Sequence, residues 1–305
     1  MFKAKVYRST GSWYKIKTET GEWRDARTAG KIRLEGSKST NPVAVGDDVW
    51  YRDEGDNAVI TGVLDRKNHI VRKSNKLSKQ TQILASNIDL LVILASLKDP
   101  KTSLGFMDRM SVAAEAFQIP ALLCFNKMDT WSEQDFNEYA HIKNIYENAG
   151  ISVLSVSALK QTGLIAVRQA LESKTALVAG HSGVGKSSLL NALSPSLKLN
   201  IGKTSQVHQK GRHTTTFAEM HDLGNNTLVI DTPGIREFGL IAIEEAELPN
   251  YFPEMFALLP DCKFYNCKHL NEPKCAVLQS LENGEIPASR YHSYLSILEN
   301  EDIFQ

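Results

Sequence analysis

Hydrophobic positions change their spacing twice along the chain. Up to about Leu64 they come in short alternating runs: Ala4 to Tyr7, Trp13 to Thr18, Glu22 to Ala26, Val49 to Tyr51 and Val59 to Leu64. Turn signals at Gly11, Gly21, Gly36, Gly46 and Gly55 punctuate them. Five short strands in so small a space predict an antiparallel β-barrel of OB or SH3 type over residues 1–66. Arg66 to Lys79 then carries Arg66, Lys67, Arg72, Lys73, Lys76 and Lys79 with no acidic residue, and residues 67–87 read as an exposed basic linker. From Ile88 longer apolar runs (Ile88 to Ala95, Pro120 to Phe125, Ile151 to Val156, Thr175 to Ala179, Thr227 to Ile230) alternate with amphipathic stretches near Met107 to Phe117, Glu133 to Ala149, Leu164 to Leu171 and Ser187 to Leu193. That rhythm predicts a parallel α/β sheet covered on both faces over 88–240. Beyond Gly239 the pattern turns acidic and helical, which sets off residues 241–305.

Hydrophobic residues at 42% and charged residues at 23% exclude wholesale disorder, collagen and coiled coil. No apolar run approaches the roughly 18 residues of a membrane span, and Met1-Phe2-Lys3-Ala4-Lys5 lacks the apolar core of a signal peptide, so a cytoplasmic protein with no membrane partner is expected. Lys+Arg and Asp+Glu both total 35, but the balance hides an asymmetry. Residues 1–80 hold 17 basic and 10 acidic side chains, net +7, whereas residues 241–305 hold 4 and 11, net −7. The N-terminal end is therefore the candidate for phosphate contacts, with Lys31, Arg33, Arg66, Lys67, Arg72 and Lys73 as its expected carriers. Tyr7, Trp13, Tyr14, Trp23, Trp50 and Tyr51 accompany this charge, and such a barrel surface can track a phosphate backbone and stack bases. The alternative is a barrel whose aromatics are core and whose charges are a solvated face.

Gly180-His181-Ser182-Gly183-Val184-Gly185-Lys186-Ser187 has the spacing of a phosphate-binding loop, between an apolar strand and a helix opening at Ser188. Backbone N–H groups there can turn around phosphate oxygens, Lys186 can reach the β and γ phosphates, and Ser187 can bind Mg²⁺. Asp231-Thr232-Pro233-Gly234 follows another apolar strand, where the carboxylate can face the metal and the Gly234 N–H the γ-phosphate. Asn126-Lys127-Met128-Asp129 ends a third, where Asp129 can accept from N1–H and the amino group of guanine, a donor pair adenine lacks. Ser157-Ala158 ends a fourth, with the Ala158 N–H placed to meet guanine O6.

These are the elements of a GTP-binding domain in an unusual order, base recognition before the phosphate loop and Asp231 last. The order resembles that of the circularly permuted GTPases. Within them the chain resembles the ribosome small-subunit-dependent GTPase A (RsgA) family, also through Ala29-Gly30-Lys31-Ile32-Arg33, Asp108-Arg109 and Gly211-Arg212-His213-Thr214-Thr215-Thr216. The resemblance implies an OB barrel, a permuted GTPase and a C-terminal zinc module. It implies GTP/GDP and Mg²⁺ as ligands, with Thr215, or Thr214 beside it, joining Ser187 and Asp231 on the magnesium. Ile235 stands where many GTPases have a water-orienting glutamine, so that role must be filled elsewhere; the resemblance points to His213, on the same segment as Thr215, with Lys186 completing the catalytic set. It further implies a monomer that binds the small (30S) ribosomal subunit and its 16S rRNA, assists late maturation and leaves after hydrolysis. Two rivals are a small-molecule kinase, against which Asp129 and the permuted order argue, and an RNA-binding module with a degenerate nucleotide site, against which the intact Lys186, Ser187 and Asp231 argue.

Cys262, Cys267, His269 and Cys275 cluster near the C-terminus. Three soft thiolates and one imidazole suit a tetrahedral, structural zinc ion, one per chain, and clustering in a cytosolic chain favours metal over disulfide. Cys124, in an apolar strand, reads as a core thiol.

Overall fold

The computed structural model describes residues 1–29, 42–55, 57–73, 81–201, 218–232 and 243–299. Five strands build the N-terminal barrel: β1 (Phe2–Ser9), β2 (Tyr14–Thr18), β3 (Trp23–Thr28), β4 (Asp48–Glu54) and β5 (Asn57–Val63). β1 pairs antiparallel with both β2 and β4, and β3 runs parallel to β5, which closes the ring. Alternation decides which side chains enter it. Val6, Tyr14, Ile16, Ala26, Tyr51 and Ile60 fill the interior. The aromatics divide between the two readings of the sequence. Tyr7, Tyr14 and Tyr51 are buried, whereas Trp13, Trp23 and Trp50 are 48%, 49% and 36% exposed. Lysines flank the exposed rings, Lys3 Nζ lying 5.1 Å from the Trp50 ring centroid and Lys17 Nζ 5.6 Å from that of Trp23.

The expected linker is a correction. Residues 67–87 carry a hairpin of β6 (His69–Lys73) and β7 (Thr81–Ser86), with Ile70 and Ala85 fully buried in the core of the α/β domain. Arg66 is not a free cation either. It grips the fully buried Asp47 through Nε at 2.6 Å and Nη2 at 2.7 Å, and the same carboxylate accepts from Ser86 Oγ at 2.6 Å and Ala44 N at 2.8 Å. Gly46, at φ +96°, lets the barrel approach β7; a Cβ there would sit 2.1 Å from the Ser86 carbonyl oxygen. Lys67 is exposed but paired with Asp89 at 2.6 Å. Lys31 and Arg33 lie outside the described residues.

The α/β domain follows the predicted runs as β8 (Leu90–Ala95), α1 (Leu104–Ala116), β9 (Ala121–Phe125), α2 (Glu133–Asn148), β10 (Ser152–Ser155), α3 (Leu164–Leu171), β11 (Thr175–Ala179), α4 (Lys186–Leu193), β12 (Glu219–Gly224) and β13 (Thr227–Asp231). The strand order is β10-β9-β8-β11-β13-β12, parallel except for β12. The chain winds outward from β8 to β10, then crosses to the other side of β8 for β11 and β13. Winding in two directions from neighbouring strands leaves a crevice at the carboxyl ends of β8 and β11, the place where open α/β sheets bind ligands. β12, which the sequence reading did not foresee, also meets the barrel. Arg8 on β1 pairs with Glu219, and Lys17 Nζ lies 3.1 Å from Asp222, so barrel and domain share one 11-stranded sheet.

The C-terminal module holds α5 (Pro253–Phe256), α6 (Ala276–Glu282) and α7 (Ala288–Leu298) around Leu248, Phe252, Met255 and Tyr294. Val112 of α1 belongs to this same cluster. Among the described residues no helix is long and apolar enough to cross a membrane.

Candidate functional site

The loop from Gly180 to Gly185 leaves β11 and turns into α4 at the crevice. Gly183 and Gly185 take φ of +86° and +98°, a left-handed conformation that side chains resist. Gly180 is constrained by space instead, since a Cβ would lie 2.5 Å from the Leu94 carbonyl oxygen of β8. Lys186 opens α4 and folds its ammonium over the loop, donating to the carbonyls of Gly180 at 2.7 Å and His181 at 3.1 Å. Burial holds its pKa below the usual lysine value, and the Asp231 carboxylate opposes that shift. Asp231, at the end of β13, is pushed up by burial with Lys186 opposing, and its Oδ1 is buried without a hydrogen-bond partner. A buried, unsatisfied carboxylate oxygen interacting with a lysine has the chemistry to take a divalent cation.

The residues expected to recognise the base converge from two neighbouring strands. Asn126, 3% exposed, donates from Nδ2 to the Val184 carbonyl at 2.9 Å and accepts at Oδ1 from the Ala158 N–H at 3.1 Å. Both ends of this amide are engaged within the protein, so Asn126 brackets the phosphate loop to the Ser157-Ala158 turn. The Ala158 N–H, expected to meet guanine O6, here donates to Asn126 Oδ1. Asp129 is exposed and accepts from the buried Ser157 hydroxyl, which itself accepts from the Lys160 N–H at 2.9 Å. A carboxylate held at one oxygen and open to solvent suits the donor pair of guanine. Lys127, at φ +68°, donates to the Asp99 carbonyl. Thr214, Thr215, His213 and Gly234 lie outside the described residues.

The second site is the cysteine cluster. Ligand atoms of Cys262, Cys267, His269 and Cys275 all lie within 4.8 Å of one another. His269 Nδ1 is 3.2 Å from Cys275 Sγ and 3.7 Å from Cys262 Sγ, and those two sulfurs are 4.0 Å apart. A tetrahedral ion with metal–sulfur bonds of about 2.3 Å needs sulfur–sulfur edges of about 3.8 Å, so the four fit zinc. Burial pushes the Cys267 thiol up to about 12, with the neighbouring thiols adding to the effect, and a cation is what turns such a group into a ligand at neutral pH. The loop around the ligands is braced by a residue that ligand spacing does not reveal. The Glu272 carboxylate accepts from the N–H groups of Lys268 and Leu270 at 2.8 Å and Asn271 at 3.1 Å. Although burial opposes it, these donors hold Glu272 down to about 2. Its one sequence signal is a lone acid among lysines inside the ligand spacing. Tyr291 and Tyr294 of α7 cap the same loop, donating to the His269 and Lys268 carbonyls at 2.6 and 2.7 Å. Cys124 stands apart, fully buried in β9 with its thiol pushed up to about 12 by burial, as a core thiol should be.

Residues 63–241 match the family model described as RsgA GTPase, and residues 3–60 the one described as RsgA N-terminal domain. A protein of Christiangramia forsetii named small ribosomal subunit biogenesis GTPase RsgA is 48% identical over 301 residues, 97% of this chain and 96% of that protein. A Bacteroides thetaiotaomicron protein of the same name, numbered 2, is 45% identical, covering 98% of this chain and 97% of its own. Among solved structures, YjeQ from Thermotoga maritima matches with a TM-score of 0.79 at 32% identity over 98% of both chains. YloQ, described as a circularly permuted GTPase, matches at 0.74 and 30% identity, covering 98% of this chain and 94% of that one.

Proposed function

The chain belongs to the RsgA GTPase family and is a GTP hydrolase, and on that premise we propose that it is a ribosome biogenesis factor acting on the small (30S) subunit. In this reading the GTP-bound protein docks on 16S rRNA as a monomer in the cytoplasm, assists late maturation, and leaves once GTP has been hydrolysed. The observation that carries the reading is the barrel face, where exposed Trp23 and Trp50 lie among Lys3, Lys15 and Lys17 on a sheet continuous with the nucleotide domain. Stacking rings beside ammonium groups suit single-stranded or looped RNA. Relatives named for small-subunit biogenesis over nearly the whole chain support the same reading.

Within the crevice Asp129 selects guanine, Asn126 keeps base and phosphate subsites in register, and backbone N–H groups from Gly180 to Ser188 receive the phosphates. Lys186 turns its ammonium toward the β and γ phosphates. Ser187 and Asp231, with Thr215 or Thr214, would hold Mg²⁺, which when bound neutralises phosphate charge. His213 is assigned to the attacking water, since Ile235 has no group to orient it. One zinc ion on Cys262, Cys267, His269 and Cys275 holds the C-terminal loop in shape.

The test measures GTP hydrolysis with and without purified small subunits, and subunit binding in a nonhydrolysable GTP analogue. Stimulated turnover and analogue-dependent binding are expected. A protein that hydrolyses GTP equally fast with and without subunits, and binds none, defeats the reading.

A further inference from the structure

The phosphate loop is supported from three directions. Gly180 lies against β8, Val184 is held by Asn126, and the His181 ring packs on Phe106 with ring centroids 3.9 Å apart. The first two supports belong to the sheet and its loops. The third belongs to α1, and α1 is shared between two cores, since Phe106 and Met110 lie in the cluster of the sheet while Val112 lies in that of the C-terminal module.

Two residues beyond Phe106, Asp108 is fully buried. Its carboxylate accepts from Arg290 Nη1 and Tyr146 OH at 2.6 Å each on Oδ1, and from Ser293 Oγ at 2.5 Å on Oδ2. Arg290 is itself 1% exposed, bonds Glu254 through Nε at 2.6 Å and Nη2 at 3.1 Å, and sits 4.8 Å from the Phe252 ring centroid. Removing one partner from a buried ionic network leaves an uncompensated charge that must move toward water or be re-paired. In a close-packed interior a movement of Asp108 shifts the helix that carries it, and Phe106 lies on that helix two residues away.

We propose that Arg290, in the C-terminal module, is a positioning residue for guanine-nucleotide binding, acting through Asp108 and α1 on Phe106 and His181 of the phosphate loop. The module and the nucleotide site are then linked thermodynamically, and neither binds at full strength with the other disturbed. The proposal rests on the GTPase reading of the crevice and extends it to residues that touch no ligand.

A double-mutant cycle with a fluorescent GDP analogue on the full chain tests the link, using Arg290→Met, His181→Ala and the two combined. Arg290→Met should weaken GDP about fivefold or more, the lower end of ordinary coupling between sites. Arg290→Lys, which keeps a cation beside Asp108, should recover part of the loss. In the double variant the losses should not multiply, because both substitutions sever one chain of contacts. Should Arg290→Met fail to fold, Tyr146→Phe removes a single donor from Asp108 and enters the same cycle. Unchanged GDP affinity in a folded, zinc-loaded variant, or losses that multiply, overturns the proposal. Wild-type protein that bound ADP as well as GDP would instead defeat the reading of the guanine site, so the two failures are distinguishable.

Discussion

Asn126 and Asp129 sit three residues apart at the end of one strand and do different work. Asn126 uses its amide to join two loops, so Asn126→Ala leaves the Val184 carbonyl and the Ala158 N–H without partners. Each buried group so orphaned costs about 1–3 kcal/mol. We expect Asn126→Ala to lower unfolding stability by about 2 kcal/mol and to weaken GDP at least tenfold, read by denaturant titration and fluorescent nucleotide binding. Asp129 faces outward, so Asp129→Asn should leave stability nearly unchanged while moving preference from guanine toward xanthine nucleotides, as a competition assay would show. The motif was legible in the sequence because strand-end placement and residue type identify it. The bracing of two loops by Asn126 was not, because it depends on Val184 and Ala158, 58 and 32 residues away.

At the scale of elements, strands with continuous apolar runs were legible and those with one wet face were not. β8 is buried along its whole length and announces itself. β12 reads Glu-Met-His-Asp-Leu-Gly with Met220 as its one buried side chain, and in the β6 hairpin the basic residues conceal Ile70. The correction carries a prediction. Arg66→Gln should leave Asp47 buried without its cation, and breaking such a pair costs about 3–5 kcal/mol. The variant should melt well below wild type, whereas a phosphate-contacting arginine would have changed subunit binding instead. A second tie holds the segment after β8 to α2. Asp135 bonds Lys98 at 2.5 Å and closes the capping box of α2 with Ser132. The Lys98 ammonium, with the Ser132 donors, holds Asp135 down at about 2, below the usual aspartate range. A carboxyl depressed in the fold stabilises it above its unfolded pKa and loses that contribution as pH falls toward the folded one. Unfolding stability of wild type relative to Asp135→Asn should therefore be largest above about pH 4.5 and narrow as pH drops to about 2.

For the whole molecule, the permuted topology could be read from motif order alone, since the order of chemistry along the chain fixes which strands must neighbour which. The joins between parts could not. Lys17 meets Asp222 across 205 residues and Asp108 meets Arg290 across 182, distances over which no local pattern survives. Charge asymmetry survives at this scale in altered form, because Arg66, Lys67 and Lys17 are committed to carboxylates while Lys3 and Lys15 stay beside the exposed Trp50 and Trp23 rings. Replacing Lys3 and Lys15 with glutamine should reduce the log-log salt slope of subunit binding by up to about 0.7 per lost contact on single-stranded RNA, with GTP affinity unchanged. The Asp108–Arg290 join also sets a clock on biosynthesis. At roughly 5–20 residues per second, the 182 residues between the partners take about ten to forty seconds to translate. For that interval the nascent α/β half displays the Asp108 carboxylate without its arginine and the apolar flank of α1 without its C-terminal cover. A chain released before α7 would therefore carry that flank open and ready for wrong contacts.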